Sequence, residues 1–159
     1  MGAARRPMED RVSFLTHRIN ARLQQVCNPV IAPLRLDLYS SRIIVALAEQ
    51  GEMKVGALVD LMALPQSTVS HQLKRMEADG YVRRIRSETD SRSVLISLTP
   101  RGAGVAETCN RLSDSILASV GTALSDDELR LLSDLLKRVF ESLPDEAAIS
   151  AGVALERVE

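Results

Sequence analysis

The apolar residues of this chain recur mostly at helical spacing, and their pattern predicts six helices. In the first of them the apolar residues lie three or four positions apart and form a single stripe. We expect that helix to end before Pro29, because the residue preceding a proline disfavours the helical region. Asp37 can cap the second helix, and Ser125 with Glu128 forms a capping box before the last. The predicted helices cover residues 8–27, 38–50, 55–62, 66–79, 100–121 and 126–143.

Two short helices in the middle of the chain are separated by a tight turn at Leu64 and Pro65. Their spacing turns one set of apolar residues towards a core: Leu58, Leu61, Val69, Leu73 and Met76. The second of the two helices then presents an outer face that is polar and basic: Gln66, Ser67, Ser70, His71, Lys74 and Arg75. Such a pair has the form of a helix-turn-helix.

The spacing of the apolar residues changes from helical to alternating directly after the second short helix, which ends at Gly80. Residues 81–86 and 93–98 are predicted to be strands, with the polar turn 87–92 between them. Val94, Ile96 and Leu98 alternate with other residues, so we expect them to face inward. A β-hairpin that follows a helix-turn-helix makes a winged helix. The predicted fold class is therefore mainly α (α+β), a winged helix-turn-helix with long flanking helices.

Two segments of this module resemble the MarR family of transcriptional regulators. Residues 66–82, QSTVSHQLKRMEADGYV, are similar to that family's recognition helix and its entry into the wing. Asp90-Ser91-Arg92, followed by ISLTPRG at residues 96–102, resembles its wing signature. Two residues depart from the family pattern: Pro65 lies where many members have a capping Ser or Thr, and His71 where many have Arg.

The polar residues at the start of the predicted recognition helix are suited to base edges: Gln66, Ser67, Thr68, Ser70 and His71. Lys74 and Arg75 lie further along and suit phosphates, which orient a protein on DNA more than they specify sequence. In the hairpin, Arg84 and Arg86 are candidates for contact with DNA. The resemblance implies that Arg92 enters the minor groove and that Asp90 orients it.

The long terminal helices have little of their own chain to pack against, which favours a homodimer. The resemblance also implies interleaved terminal helices, with two recognition helices spaced for a pseudo-palindromic operator. The domain prediction is accordingly residues 1–35 for an N-terminal dimerisation helix and linker, 36–101 for the winged module, 102–143 for C-terminal dimerisation helices, and 144–159 for a tail or short terminal helix.

The charge of the chain is nearly balanced, with 20 basic and 21 acidic residues, and as an average this argues against a chain that coats DNA. The average conceals a division. Residues 66–101 hold 7 basic and 4 acidic residues, whereas residues 102–159 hold 5 and 11. The positive charge of the predicted DNA-binding segment and the negative charge of the C-terminal part therefore cancel in the average.

The sequence also contains candidate residues for effector binding and for redox sensing. The family often binds small aromatic or anionic effectors, for which His17, Arg18, Tyr39 and Arg42 are possible polar groups. Cys27 and Cys109 leave open a cysteine-based redox-responsive regulator, and a winged-helix protein-interaction module without DNA binding is a further alternative. We find no motif for an enzyme, a metal site or a cofactor in the sequence, and no membrane span. The prediction is a cytoplasmic, sequence-specific regulator of double-stranded DNA, a repressor released by a small effector.

Overall fold

The computed structural model describes residues 6–86 and 94–144. Its helices are α1 (Val12–Ile31), α2 (Leu38–Gln50), α3 (Val55–Met62), α4 (Gln66–Ala78), α5 (Pro100–Gly121) and α6 (Asp126–Ser142). Three strands, β1 (Met53–Lys54), β2 (Val82–Arg86) and β3 (Val94–Leu98), form an antiparallel sheet in the order β1-β3-β2. Short 3-10 helices precede and follow α1, at Met8–Asp10 and Ala32–Leu34. This arrangement confirms the predicted winged helix-turn-helix.

The chain divides into two compact units after Asp114, within α5. The first unit contains the core, in which apolar residues of α2, α3 and α4 pack with the sheet and with the first half of α5. Ile43, Leu58, Val69 and Ile96 have no exposed surface. The predicted inward positions of α4 are confirmed, since Val69, Leu73 and Met76 are all buried.

Side-chain capping explains where α2 and α5 begin. Asp37 accepts a hydrogen bond from the Ser40 N–H, and the Ser40 hydroxyl accepts one from the Asp37 N–H, so the two residues form a capping box. At α5 the Thr99 hydroxyl accepts a bond from the Gly102 N–H at 3.0 Å. Both starts agree with the sequence prediction.

A close approach of backbones fixes the start of α5 against the sheet. A Cβ added at Gly102 would lie 2.0 Å from the carbonyl oxygen of Tyr81. The same oxygen accepts the Thr99 N–H at 3.0 Å. Only glycine fits between α5 and the beginning of the wing.

Several details of the sequence prediction are wrong, including the start of the first helix, since residues 8–10 form a 3-10 helix and α1 begins at Val12. The first helix does not end before Pro29 but includes it and continues to Ile31. Pro29 lies in the last turn, and because it has no N–H the helix lacks one backbone hydrogen bond there. Leu61 and Val94 are 50% and 38% exposed, because α3 and β3 turn those positions away from the core. The two-residue strand β1 was not predicted, since so short a segment has no periodicity.

The second unit contains the end of α5 and all of α6. Ser125 and Glu128 form the predicted capping box at the start of α6. This helix has no buried residue, although one of its sides is strongly apolar. The exposed apolar residues of α6 and the position after it are Leu131, Leu132, Leu135, Leu136, Phe140 and Leu143.

Candidate nucleic-acid interface

The outer face of α4 carries the polar residues that the sequence singled out. Gln66, Ser67, His71 and Lys74 are exposed, and Thr68 and Ser70 are half-buried. Pro65 precedes the helix without a side-chain cap, and its carbonyl accepts the Thr68 and Val69 N–H groups. The structure thus brings the predicted base-contacting residues together on one surface of the helix-turn-helix.

Asp37 joins the start of α2 to α4. One carboxylate oxygen accepts the Ser40 N–H at 2.8 Å, and the other accepts the Gln72 side-chain amide at 2.9 Å. That second oxygen also lies 3.4 Å from a guanidinium nitrogen of Arg75. The other terminal nitrogen of Arg75 donates to the Arg35 carbonyl at 3.4 Å. Arg75 is therefore held at two points while 43% of its side chain stays exposed.

The surroundings of Asp37 stabilise its charged form. Burial acts to raise its pKa, but hydrogen bonds from Ser40 and Gln72 and the positive charge of Arg75 together hold the pKa below its usual range. The residue is consequently a carboxylate at neutral pH.

The described part of the wing carries its arginines on β2. Arg83, Arg84 and Arg86 are exposed. Arg84 donates to the Glu77 carboxylate of α4 at 3.2 Å, which connects the wing to the recognition helix. Asp90 and Arg92 lie outside the described residues.

The four candidate effector residues lie in different places. His17 and Arg18 line an open crevice of about 690 Å³ whose lining residues all belong to α1. Arg42 lines a groove of about 280 Å³ between α2, α3 and Ser113 of α5. The Tyr39 hydroxyl accepts a hydrogen bond from the Gln24 side chain at 3.3 Å and lines neither space. The first unit does not bring all four to one pocket.

Both cysteines are free and buried, each with about 1% of its surface exposed. Burial raises the pKa of the Cys27 thiol, although the nearby charge of Arg42 opposes this, and burial likewise raises the pKa of Cys109. Because the thiolate is the form that reacts with oxidants, these surroundings disfavour reaction.

The sequence did not reveal the contacts that Asp37 and Glu77 make with α4 and the wing. Gln72 offered one signal, since it is a polar residue on the inward side of α4, next to Leu73. A buried polar group needs a partner, and here that partner is Asp37. The pairing of Glu77 with Arg84 depends on how the hairpin folds back, which no local pattern reports.

A helix-turn-helix with a polar and basic outer face, followed by a wing that carries arginines, defines the winged-helix class of DNA-binding proteins. Within the described ranges, no group of three or more potential metal ligands occurs. Among the described residues, every helix is too short or too polar to span a lipid bilayer.

Comparison with known proteins identifies the family. The model of the MarR family matches residues 37–93. The HTH-type transcriptional regulator MgrA of Staphylococcus aureus is 30% identical over 118 residues, which cover 74% of this chain and 79% of MgrA. The organic hydroperoxide resistance transcriptional regulator of Bacillus subtilis is 29% identical over 136 residues, covering 86% and 91%. A mutant MarR from E. coli complexed with operator DNA superposes with a TM-score of 0.71 at 25% identity, covering 84% and 94%.

This chain belongs to the MarR family. It is a winged-helix transcriptional regulator of a DNA-binding family, and its relatives are regulators rather than enzymes.

Proposed function

We propose that this protein is a homodimeric repressor that occupies a pseudo-palindromic operator in the cytoplasm and is released by a small effector. The observation that carries the proposal is the outer face of α4, where hydrogen-bonding side chains lie beside cations. Operator binding by E. coli MarR, which shares the fold over 84% of this chain, supports it.

The proposed contacts divide by chemistry. Five side chains of α4 contact base edges: Gln66, Ser67, Thr68, Ser70 and His71. Lys74 and Arg75 contact phosphates, and the wing adds Arg84, Arg86 and Arg92, with Asp90 orienting Arg92. The pairing of Arg84 with Glu77 suits a residue that fixes the wing near the backbone.

Exposed apolar surface on α1 and α6 supports the homodimer. Val12, Leu15 and Ile19 are 46%, 42% and 57% exposed, and the apolar side of α6 is uncovered as well. Surfaces of this kind mark interfaces between proteins. We therefore propose that residues 1–35 and 102–143 form the dimer, that residues 36–101 bind DNA, and that 144–159 is a tail.

Binding to the DNA upstream of the protein's own gene should weaken steeply as salt rises, because phosphate contacts release counterions. In Lys74→Ala, affinity should fall for all sequences, and the slope of log K against log salt should become shallower by about 1 for each protomer. Arg92→Ala should weaken binding without unfolding the dimer. Fluorescence anisotropy over a salt series measures these effects.

A matched control is Lys137→Ala in α6, whose side chain is exposed and pairs with Asp134 at 3.9 Å. It removes the same charge and should leave the salt slope unchanged. Absent or salt-independent binding by the unaltered protein would instead favour a protein-interaction module.

Release is proposed to follow a shift between two arrangements of the dimer. An effector that binds more tightly to a dimer with wrongly spaced recognition helices lowers operator affinity by that difference in affinity. The burial of both thiols favours a small aromatic or anionic ligand over cysteine oxidation as the trigger.

We expect small aromatic carboxylates to dissociate the operator complex and to raise the melting temperature of the free protein. Peroxide at comparable concentration should release the unaltered protein no faster than a Cys27→Ser, Cys109→Ser variant. Peroxide release that the double substitution abolishes would identify the regulator as redox-responsive.

A further inference from the structure

We propose that Asp37 is a positioning residue for DNA binding, which holds the guanidinium of Arg75 at the angle that a backbone phosphate requires. The proposal rests on the DNA-binding function proposed above. It assigns a role in the interface to a residue outside the recognition helix and the wing.

The two oxygens of the Asp37 carboxylate perform different tasks. Oδ1 accepts the N–H and the hydroxyl of Ser40, at 2.8 and 2.9 Å, and so completes the start of α2. Oδ2 accepts the amide of Gln72 at 2.9 Å and lies 3.4 Å from Arg75 Nη1. A substitution that keeps a cap but removes Oδ2 therefore separates the two tasks.

Gln72 keeps the carboxylate beside α4. Its side chain is 93% buried, on the inner side of the helix, and donates to Asp37 from there. Its own Oε1 lies 3.5 Å from Arg75 Nη1. Asp37, Gln72 and Arg75 thus form a closed set of contacts that places the carboxylate beside the arginine.

Arg75 is fixed on one side and open on the other. Its two terminal nitrogens are held by Asp37 and by the Arg35 carbonyl, while 43% of the side chain remains exposed. A long side chain that is ordered before binding loses less rotational freedom when it contacts a phosphate. The guanidinium has five N–H groups, so those that are not used in these contacts remain able to donate outward.

Considered only as a negative charge near DNA, Asp37 should lower DNA affinity. A carboxylate near a polyanion repels it, so deleting the charge should strengthen DNA binding. If Asp37 positions Arg75, deleting it should weaken binding instead. The sign of the change therefore separates a positioning role from a mere nearby charge.

The test compares Asp37→Ser, Arg75→Ala and the double variant with the unaltered protein, by anisotropy with the protein's own upstream DNA. Serine is also a good N-cap, so α2 keeps its start. We expect Asp37→Ser to lose about tenfold in affinity, as for one misplaced charge-assisted contact. In the Arg75→Ala background the same substitution should cost nothing further.

Asp60→Ser provides the control for net charge, since Asp60 is exposed on α3 and its loss removes one negative charge from the same unit. It should leave affinity unchanged or raise it. Affinity of Asp37→Ser equal to or above that of the unaltered protein would overturn the proposal. An equal loss of DNA affinity from Asp37→Ser in the presence of Arg75 and in the Arg75→Ala background would also overturn it. Failure of the unaltered protein to bind DNA would overturn the proposed function as well, which distinguishes the two failures.

Discussion

A Gly102→Ala variant is expected to lose about 3 kcal/mol of folding stability. The added Cβ would lie 2.0 Å from the Tyr81 carbonyl oxygen, which is backbone and cannot rotate away. Overpacking of this kind costs about 1–3 kcal/mol. Displacing Tyr81 would also strain the bond that its oxygen accepts from the Thr99 N–H, at about 1 kcal/mol.

Thermal denaturation at fixed protein concentration measures the effect, and we expect the midpoint to fall by about 10 °C. Gly104→Ala is the matched control, two residues along the same helix, where an added Cβ meets nothing within 4 Å. That variant should be slightly more stable, by up to about 1 kcal/mol, because alanine favours helix. Equal midpoints for the two variants would show that the contact with Tyr81 relaxes freely.

The double variant Leu136→Gln, Phe140→Gln is expected to be monomeric and to bind the operator poorly. These side chains are 42% and 61% exposed on α6, and in a symmetric dimer each is buried twice. At about 2 kcal/mol for each of the four side chains buried in the dimer, the dissociation constant should rise by about a hundred-thousandfold or more. Sedimentation equilibrium measures it directly.

The control places the same substitutions on the opposite side of α6, at Asp134→Gln and Arg138→Gln. It keeps the spacing of four residues and leaves the net charge unchanged. The exposed pair between Asp134 and Lys137, at 3.9 Å, contributes little. If the Leu136→Gln, Phe140→Gln variant stays dimeric and the Asp134→Gln, Arg138→Gln variant does not, the interface lies on the other side of the helix.

The elements that the sequence predicted correctly are those specified locally. Asp37 and Ser125 each mark a helix start through hydrogen bonds to residues three positions away, and both capping boxes occur in the structure. The inward stripe of α4 follows directly from its spacing. The rule that the residue before a proline disfavours helix fails at Pro29, which α1 includes with two further residues after it.

The parts that could not be predicted depend on residues far apart in the chain. Gln72 meets Asp37 across 35 positions, and the Tyr81 hydroxyl donates to the Leu34 carbonyl across 47. Strand β1 exists only because Met53 and Lys54 pair with β3. For the candidate interface, the sequence therefore indicated which side chains face outward, but not which carboxylates hold them.

The joint around Gly102 has a mechanical consequence. The Thr99 hydroxyl donates to the Gly80 carbonyl at 2.6 Å, and its N–H donates to Tyr81, so the end of α4, the base of the wing and the start of α5 share one set of bonds. Because there is no room for even a methyl group at Gly102, we expect this joint to be rigid and not to act as a hinge. We therefore expect a rotation of the first half of α5 to move the recognition helix and the wing together, as one rigid unit.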